Sequence, residues 1–245
     1  MTSSLGRLKP RAASRYAAEF LQSIEYTQKE DFDTPTLVSK GELPPKTALL
    51  SLPGDLAATL TDVEQDEELL SLVQAGGCSE LVSLALFVAK QRATADSLWR
   101  DLVDSLPLSV DSPIFWTDEE REALLRGSPV VAEAKQRRAA LDAQWDALAV
   151  CEVPSWLNKS RFMDAMSVVL SHAIFLPSVG CFALLPIVGD LDKTGSESGA
   201  VVDYDAESNV VTVSIEGWGW MKMGGSSCDE PPHPSSSRPT AHSAP

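Results

Sequence analysis

Several residue patterns that would indicate a location or a chemistry are missing from this chain of 245 residues. No apolar run reaches the roughly 18 to 20 residues that a membrane-spanning helix needs, so the sequence predicts no membrane partner. Lys and Arg together number 20 against 35 Asp and Glu, which gives a formal net charge of -15. Nucleic-acid binding needs a basic surface that releases counterions from phosphates, and no Lys/Arg cluster of that kind is present. We therefore exclude nucleic acid as a direct ligand.

Cysteine is also scarce, and its spacing excludes two kinds of site. The four cysteines are Cys78, Cys151, Cys181 and Cys228, and none belongs to a CxxC pair. Neither a zinc ribbon nor a disulfide framework is indicated, and no metal site is predicted. We expect reduced, mostly buried thiols in an intracellular protein.

Motifs of the common nucleotide-dependent and hydrolytic enzymes are absent as well. There is no GxGxxG, no GxxxxGK(S/T) and no GxSxG sequence, so the phosphate cradles and the nucleophile elbow are missing. His172 is the one histidine outside the polar C-terminal tail. Adjacent acids at 118–120 are typical of a helix start, and the acid run at 64–68 indicates a solvated face.

The chain does contain enough apolar residues, 44% of the total, to bury a substantial core. Short apolar runs at 36–38 and 48–52, separated by Gly41 and a Pro-Pro pair, are typical of a strand, turn, strand unit. Residues 15–24 have apolar side chains at helical spacing. From about residue 62 to residue 176 the pattern is helical.

Clear helix boundaries divide this middle part. Thr117 and Glu120 form a capping box, and Gly127 suits a left-handed stop. Ser128 is predicted to cap the next helix, whose stripe of apolar residues comprises Ala134, Leu141, Trp145 and Leu148. A further helix is predicted at about 161–173.

After this helix, the spacing of apolar residues is again that of β-strands. Residues 182–186 are typical of a short buried strand, and 200–204 with 210–215 indicate a hairpin that turns through 205–209. The fold class is therefore α+β, a domain of residues 17–216 in which β segments flank the helical middle. The tail at 217–245 is rich in Pro and Ser and is predicted to be disordered.

The first 16 residues have four basic side chains and no acidic one. This bias is typical of an organelle transit peptide, and a solvated terminus explains it equally well.

One stretch identifies a family. Ser79 begins a Glu-Leu pair and an apolar helix, followed by Ser-x-Trp, Leu-Pro, Phe-Trp-Thr-Asp-Glu-Glu and a Gly-Ser-Pro stop that ends at Pro129. The order resembles the helical insert of SET-domain protein-lysine methyltransferases of the Rubisco-methyltransferase type, in particular their plastid branch. Later elements agree in order, so the resemblance covers about residues 34–216.

The resemblance implies methyl transfer from S-adenosylmethionine to a lysine amine of a protein substrate. Alignment and desolvation carry most of that catalysis. The resemblance also places Glu80 and Leu81 against the cofactor, although Leu81 is equally explained as a core residue. His172 stands where the family has a cofactor-contacting Arg, and Asp192-Lys193 stand where it has Asn-His. We therefore assign Glu80, Leu81, His172, Asp192 and Lys193 to the cofactor site.

The pattern stops at about Gly217, before the family's Gly-Glu-Glu-Val strand and Ser-Tyr-Gly segment, so the chain resembles a C-terminally truncated SET domain. Tyr204 is the candidate for the tyrosine of the lysine channel, and packing across the hairpin is its alternative role. Two functions remain open: a protein-lysine N-methyltransferase of a plastid or the cytoplasm, and a non-catalytic SET-fold interaction protein or truncated product. The sequence does not indicate an oligomeric state.

Overall fold

The computed structural model describes residues 24–27, 36–39, 47–186 and 200–215. The predictions for residues 1–16, for Asp192 and Lys193, and for the tail at 217–245 lie outside the described residues. Most of the predicted helix at 15–24 lies outside them too, and Ile24 is the first residue of a strand.

The helices occupy the middle of the chain, as the sequence predicts. They run in the order α1 Leu60–Glu64, α2 Glu67–Gly76, α3 Glu80–Ala93, α4 Arg100–Ser105, α5 Asp118–Leu124, α6 Val130–Ala149 and α7 Lys159–His172. A short 3-10 helix, Gly54–Leu56, precedes them.

The strands lie before and after the helices and are all antiparallel. They are β1 Ile24–Thr27, β2 Thr36–Ser39, β3 Ala48–Pro53, β4 Ile174–Leu176, β5 Cys181–Ala183, β6 Ala200–Asp205 and β7 Val210–Ile215. Among the described residues they form a β1–β2 pair, a β4–β5 pair and a three-stranded sheet of order β3, β7, β6. The α+β class with β segments flanking a helical middle is confirmed.

The predicted strand, turn, strand unit is wrong in its pairing. Both runs are strands, but β2 pairs with β1 and β3 pairs with β7. The register of β3 shifts between Ala48 and Leu50, so Leu49 is an extra residue in the ladder. Such a bulge lets two neighbouring side chains enter the same core, and both Leu49 and Leu50 are buried.

Helix ends follow the predicted capping chemistry. Thr117 Oγ1 accepts from the Glu120 amide at 3.2 Å, and the Glu120 carboxylate accepts from the Thr117 amide at 2.8 Å. Gly127 has a φ of 80°, the left-handed value expected of a helix stop. Helix α6 has Pro129 as its N-cap, one residue after the predicted Ser128, whose Oγ still accepts from the Val130 amide at 3.3 Å.

The larger core lies between the helices. Helix α3 is buried on nearly all sides from Val82 to Ala89, because α1, α2, α4 and α7 all pack against it. Phe87 meets Trp99 edge to face at a centroid distance of 5.4 Å, and Phe162 meets Trp145 at 5.7 Å. The predicted stripe of α6 is confirmed, since Ala134 and Leu148 are buried and Leu141 and Trp145 pack against this core.

A smaller core joins the three-stranded sheet to the β4–β5 hairpin. It buries Leu50, Leu52, Leu176, Val211 and Val213. An isolated bridge between Ala58 and Leu184 connects the segment after β3 to the end of β5. The β elements are thereby tied to the helical core.

The acid run at 64–68 is not simply a solvated face. Asp66 caps α2 by accepting from the amides of Glu68 and Leu69, both at 3.1 Å. Lys90 of α3 lies 2.6 Å from carboxylate oxygens of both Asp66 and Glu68. The sequence could not reveal this contact because the cation is some 20 residues away in the chain, on another helix.

Candidate functional site

Glu80 lies at the first position of α3, directly after the N-cap Ser79. Its Oε1 accepts a hydrogen bond of 2.7 Å from the backbone N–H of Phe182 in β5. The carboxylate therefore holds the start of α3 against an edge of the β4–β5 hairpin. A carboxylate also suits the positive end of the helix dipole.

Leu81 is half-buried and packs at the margin of the helical core, as Phe182 and Ala173 do. This contact is what a core residue makes, and it also leaves part of the side chain accessible beside Glu80. Both roles named for Leu81 from the sequence are compatible with it.

His172 ends α7, and its Nδ1 lies 3.2 Å from the carbonyl oxygen of Val168. A carbonyl only accepts, so Nδ1 is the donor in this contact. Two residues later β4 begins, and Ile174 and Phe175 pair with Ala183 and Phe182. The hairpin therefore brings the end of α7 to the same end of the α3–α7 pair as Glu80.

After β5 the chain runs through Leu184 and Leu185 to Pro186, where the described segment ends. Asp192 and Lys193 follow outside the described residues, so their placement in the cofactor site stays a prediction. Glu80, Leu81 and His172 are the predicted cofactor residues that the structure brings to one region.

Tyr204 lies elsewhere, in β6 opposite Val211. Its hydroxyl donates to Asn209 Oδ1 at 3.1 Å, and Asn209 Nδ2 donates to Asp55 Oδ1 at 2.9 Å. Asn209 has a φ of 52°, a left-handed conformation that Asn tolerates better than most residues. These contacts fasten the tip of the β6–β7 hairpin to the 3-10 helix.

A cavity of about 310 Å³ opens beside this hairpin tip. Its walls include Asp55, Asp62, Leu176, Cys181 and Tyr204, and they do not include Glu80, Leu81 or His172. Cys181 directly precedes Phe182, whose N–H binds Glu80. Adjacent residues of β5 therefore line the cavity beside Tyr204 and bind the carboxylate of Glu80.

No sequence pattern singles out Cys181, because a lone cysteine in a short strand has no motif around it. Burial, and then the negative charge of Glu80, raise the pKa of the Cys181 thiol. A raised pKa favours the protonated thiol, the less reactive form.

The described residues contain neither a metal-binding group nor a membrane-spanning helix. No three His, Cys, Asp or Glu side chains there are grouped so that they could hold a metal ion. No helix in the same segments is long and apolar enough to span a membrane.

Solved structures with a similar fold exist. The SET domain of LSMT bound to lysine and AdoHcy matches 85% of this chain and 51% of its own, with a TM-score of 0.64 and 16% identity. Rubisco LSMT bound to AdoMet matches 86% of this chain and 52% of its own, with a TM-score of 0.59 and 17% identity. The chain has a SET-domain fold. The predicted resemblance to the Rubisco-methyltransferase type is confirmed.

Curated relatives match a shorter part of this SET domain. The chloroplastic fructose-bisphosphate aldolase lysine N-methyltransferase of Arabidopsis thaliana is 40% identical over 57 residues, which are 23% of this chain and 12% of that protein. The chloroplastic Rubisco large subunit N-methyltransferase of Pisum sativum is 40% identical over 50 residues, 19% of this chain and 10% of that protein. No protein-family model matches the chain. The SET domain therefore spans about half of the solved chains and a small part of the curated relatives.

The residues around Glu80 fit the amino-acid end of a ligand such as S-adenosylmethionine. One carboxylate oxygen is held by Phe182, and no hydrogen bond from the described residues reaches the other. An ammonium group is a suitable donor to that second oxygen, and the charge makes such a bond strong. Half-buried Leu81 supplies apolar surface next to it.

Proposed function

We propose that this SET domain belongs to an S-adenosylmethionine-dependent protein-lysine N-methyltransferase. One observation carries the proposal: Glu80, at the start of α3, has one carboxylate oxygen bound by β5, and no hydrogen bond within the described residues reaches its other oxygen. The fold in which it does so is that of structures solved with AdoMet and with lysine and AdoHcy.

Each residue has a distinct role in this proposal. S-adenosylmethionine, when bound, supplies an activated methyl group. Glu80 orients the ligand's ammonium, and Leu81 excludes water beside it. His172 places an imidazole ring, not a planar guanidinium with two parallel donors, at the end of α7. Asp192 and Lys193 complete the site, and Tyr204 remains the candidate for the lysine channel.

The substrate we propose is a plastid protein with an accessible lysine. Support comes from the curated relatives, which are chloroplastic enzymes named for methylating aldolase and the Rubisco large subunit. The solved SET domains bound to lysine and to methyllysine agree with a lysine side chain as acceptor.

Titration calorimetry with S-adenosylmethionine tests the proposal. Glu80→Gln keeps an oxygen for the Phe182 N–H but removes the charge, so we expect roughly tenfold or greater loss of affinity, the effect of a hydrogen bond to a charged group. Glu67→Gln is the matched control, because Glu67 is exposed and holds the same first position in α2. If S-adenosylmethionine produces no heat of binding and no change in the melting temperature of the unaltered chain, the proposal is contradicted.

A second candidate is a non-catalytic SET-fold interaction protein. The contact that favours it is at Tyr204, whose hydroxyl donates to Asn209 at the hairpin tip, beside a cavity whose walls do not include Glu80. Methyl transfer by this chain to proteins of a plastid extract would rule it out.

A further inference from the structure

The end of α3 that lies away from Glu80 holds two loops side by side. Ser97 Oγ donates to Gln91 Oε1 at 2.6 Å, which ties the loop at 94–99 to α3. Arg92, the next residue of α3, donates from Nη1 to the carbonyl oxygen of Leu108 at 3.0 Å and from Nη2 to that of Pro107. The loop at 106–111 is therefore fixed next to the first one.

Each loop turns a leucine into solvent. Leu98 is 96% exposed and Leu108 is 81% exposed, the former between buried Ser97 and a Trp99 that packs on Phe87. A single exposed leucine needs no explanation. Two of them, on loops that are hydrogen-bonded to the consecutive residues Gln91 and Arg92 of α3, offer apolar surface for a contact near the end of this helix.

The charges around these leucines are mostly negative. Residues 92–111 include four acids, Asp96, Asp101, Asp104 and Asp111, against two cations that are already engaged: Arg100 pairs with Asp104 at 3.7 Å, and Arg92 donates to the carbonyl oxygens of Leu108 and Pro107. Asp96 and Asp111 are exposed. We call Leu98, Leu108, Asp96 and Asp111 the leucine–acid surface. A second copy of this surface would repel it, whereas a basic partner would be attracted.

We propose that the leucine–acid surface binds a Lys/Arg-rich segment with apolar side chains on the protein substrate. The reference to a substrate rests on the proposed function. Helix α3 has 14 residues, so this surface lies about 20 Å from Glu80. A contact at that distance holds a substrate protein without occupying the place of its reacting lysine. The hydrogen-bonded loops lower the ordering cost of binding.

Fluorescence anisotropy with a labelled 16-residue peptide of repeated Leu-Lys-Lys-Leu units tests the binding. The Leu98→Ser and Leu108→Ser double variant should bind about tenfold or more weakly, since two apolar contacts are lost. The Asp96→Asn and Asp111→Asn double variant should bind the peptide more weakly than the unaltered chain at low salt. The difference in affinity should be smaller at high salt, because salt screens surface charges.

The control pairs Val150→Ser with Asp146→Asn. Val150 is 89% exposed and Asp146 is exposed too, so the control removes one apolar side chain and one charge from another part of the surface. It should leave affinity within twofold of the unaltered chain, and circular dichroism should show the same helix content in all variants. Equal weakening by the control and the leucine variant overturns the proposal.

The peptide assay needs no cofactor, so it separates this proposal from the function. Loss of peptide binding in the leucine variant supports the surface even if the chain transfers no methyl group. If methyl transfer occurs and its KM for protein substrate is the same in the leucine variant, the proposed role of the leucine–acid surface is contradicted. The proposed function is unaffected by that result. If the unaltered chain binds no peptide but forms a dimer that the leucine substitutions dissociate, the surface binds a second copy of the chain. That result also contradicts the proposal.

Discussion

At the scale of single residues, Gly54 has the least room for an added atom among the described glycines. A Cβ built there would lie 2.0 Å from Asn209 Oδ1 and 2.9 Å from a ring carbon of Tyr204. We expect Gly54→Ala to lower the free energy of unfolding by roughly 1–3 kcal/mol, the usual effect of overpacking. Urea denaturation measures the change.

Asn209→Gly supplies the control for this prediction. Glycine suits the left-handed φ at residue 209 and removes the side chain that the new Cβ would meet. Added to Gly54→Ala, it should recover part of the loss, so the two changes should be non-additive. A Gly54→Ala protein as stable as the unaltered chain would show that the hairpin tip is not held as described.

Cys78 should be slow to react in the folded protein. Burial, and then the neighbouring Cys151, raise the pKa of the Cys78 thiol to about 11 from an ordinary 9.0. A rise of that size lowers the thiolate fraction at pH 8 by about 100-fold, and the thiolate is the reactive form. Peptide mapping after timed alkylation should find Cys78 modified at least tenfold faster in urea. Equal rates in both states contradict the pKa direction.

Single residues also show how much of the candidate site could be predicted from the sequence. The family order of residues 79–129 was enough to select Glu80, and its local position at a helix start was readable. Its bond to Phe182 was not, because more than a hundred residues separate the two. The partners of Tyr204 show the same limit, since Asp55, which holds Asn209, is remote in sequence.

At the scale of elements, the contact between α2 and α3 depends on Lys90. Its ammonium meets Asp66 and Glu68 and is only 17% exposed. Burial raises the pKa of Asp66, but hydrogen bonds from Lys90 and from the Leu69 amide outweigh it, so that pKa is lowered. Hydrogen bonds from Lys90 and Trp156 lower the pKa of Glu68.

Lys90→Met should therefore change both stability and its pH dependence. Carboxylates with lowered pKa values contribute stability above their ordinary values of 3.8 and 4.5, and lose it as pH falls through the folded values. We expect the variant to lose about 1 kcal/mol at pH 7, since both carboxylates are partly solvated. Between pH 6 and pH 3 the free energy of unfolding of the variant should also fall by less than that of the unaltered chain.

Lys135→Met is the matched control, because Lys135 lies 3.5 Å from Asp118 and 3.6 Å from Glu122 but is 44% exposed. Its effect should be within about 0.5 kcal/mol, as for most surface ion pairs. Urea titrations at several pH values compare the two variants. A Lys90→Met profile parallel to that of the unaltered chain would contradict the role given to this contact.

The elements that the sequence predicted well are those with local signals. The α5 capping box, the left-handed Gly127, the α6 stripe and the β6–β7 hairpin depend on residues only a few positions apart. Strand pairing is different, since β3 can pair with any exposed edge. It pairs with β7, which lies beyond the whole helical middle.

At the scale of the whole molecule, α3 connects the parts on which function depends. Its first residue holds β5, its middle forms the helical core, and its last turn fixes the two loops of the leucine–acid surface. The bridge between Ala58 and Leu184 completes the link from the helices to the sheet. A cofactor contact at one end and a substrate contact at the other would thus share one rigid element.

Methyl transfer is the most direct test of the central claim. The purified chain is incubated with S-adenosylmethionine labelled in its methyl group and with plastid proteins, and the label is located by mass spectrometry. We predict label on lysine side chains, reduced by Glu80→Gln and unchanged by Glu67→Gln. No label above that of a reaction without the chain would contradict the proposed methyltransferase.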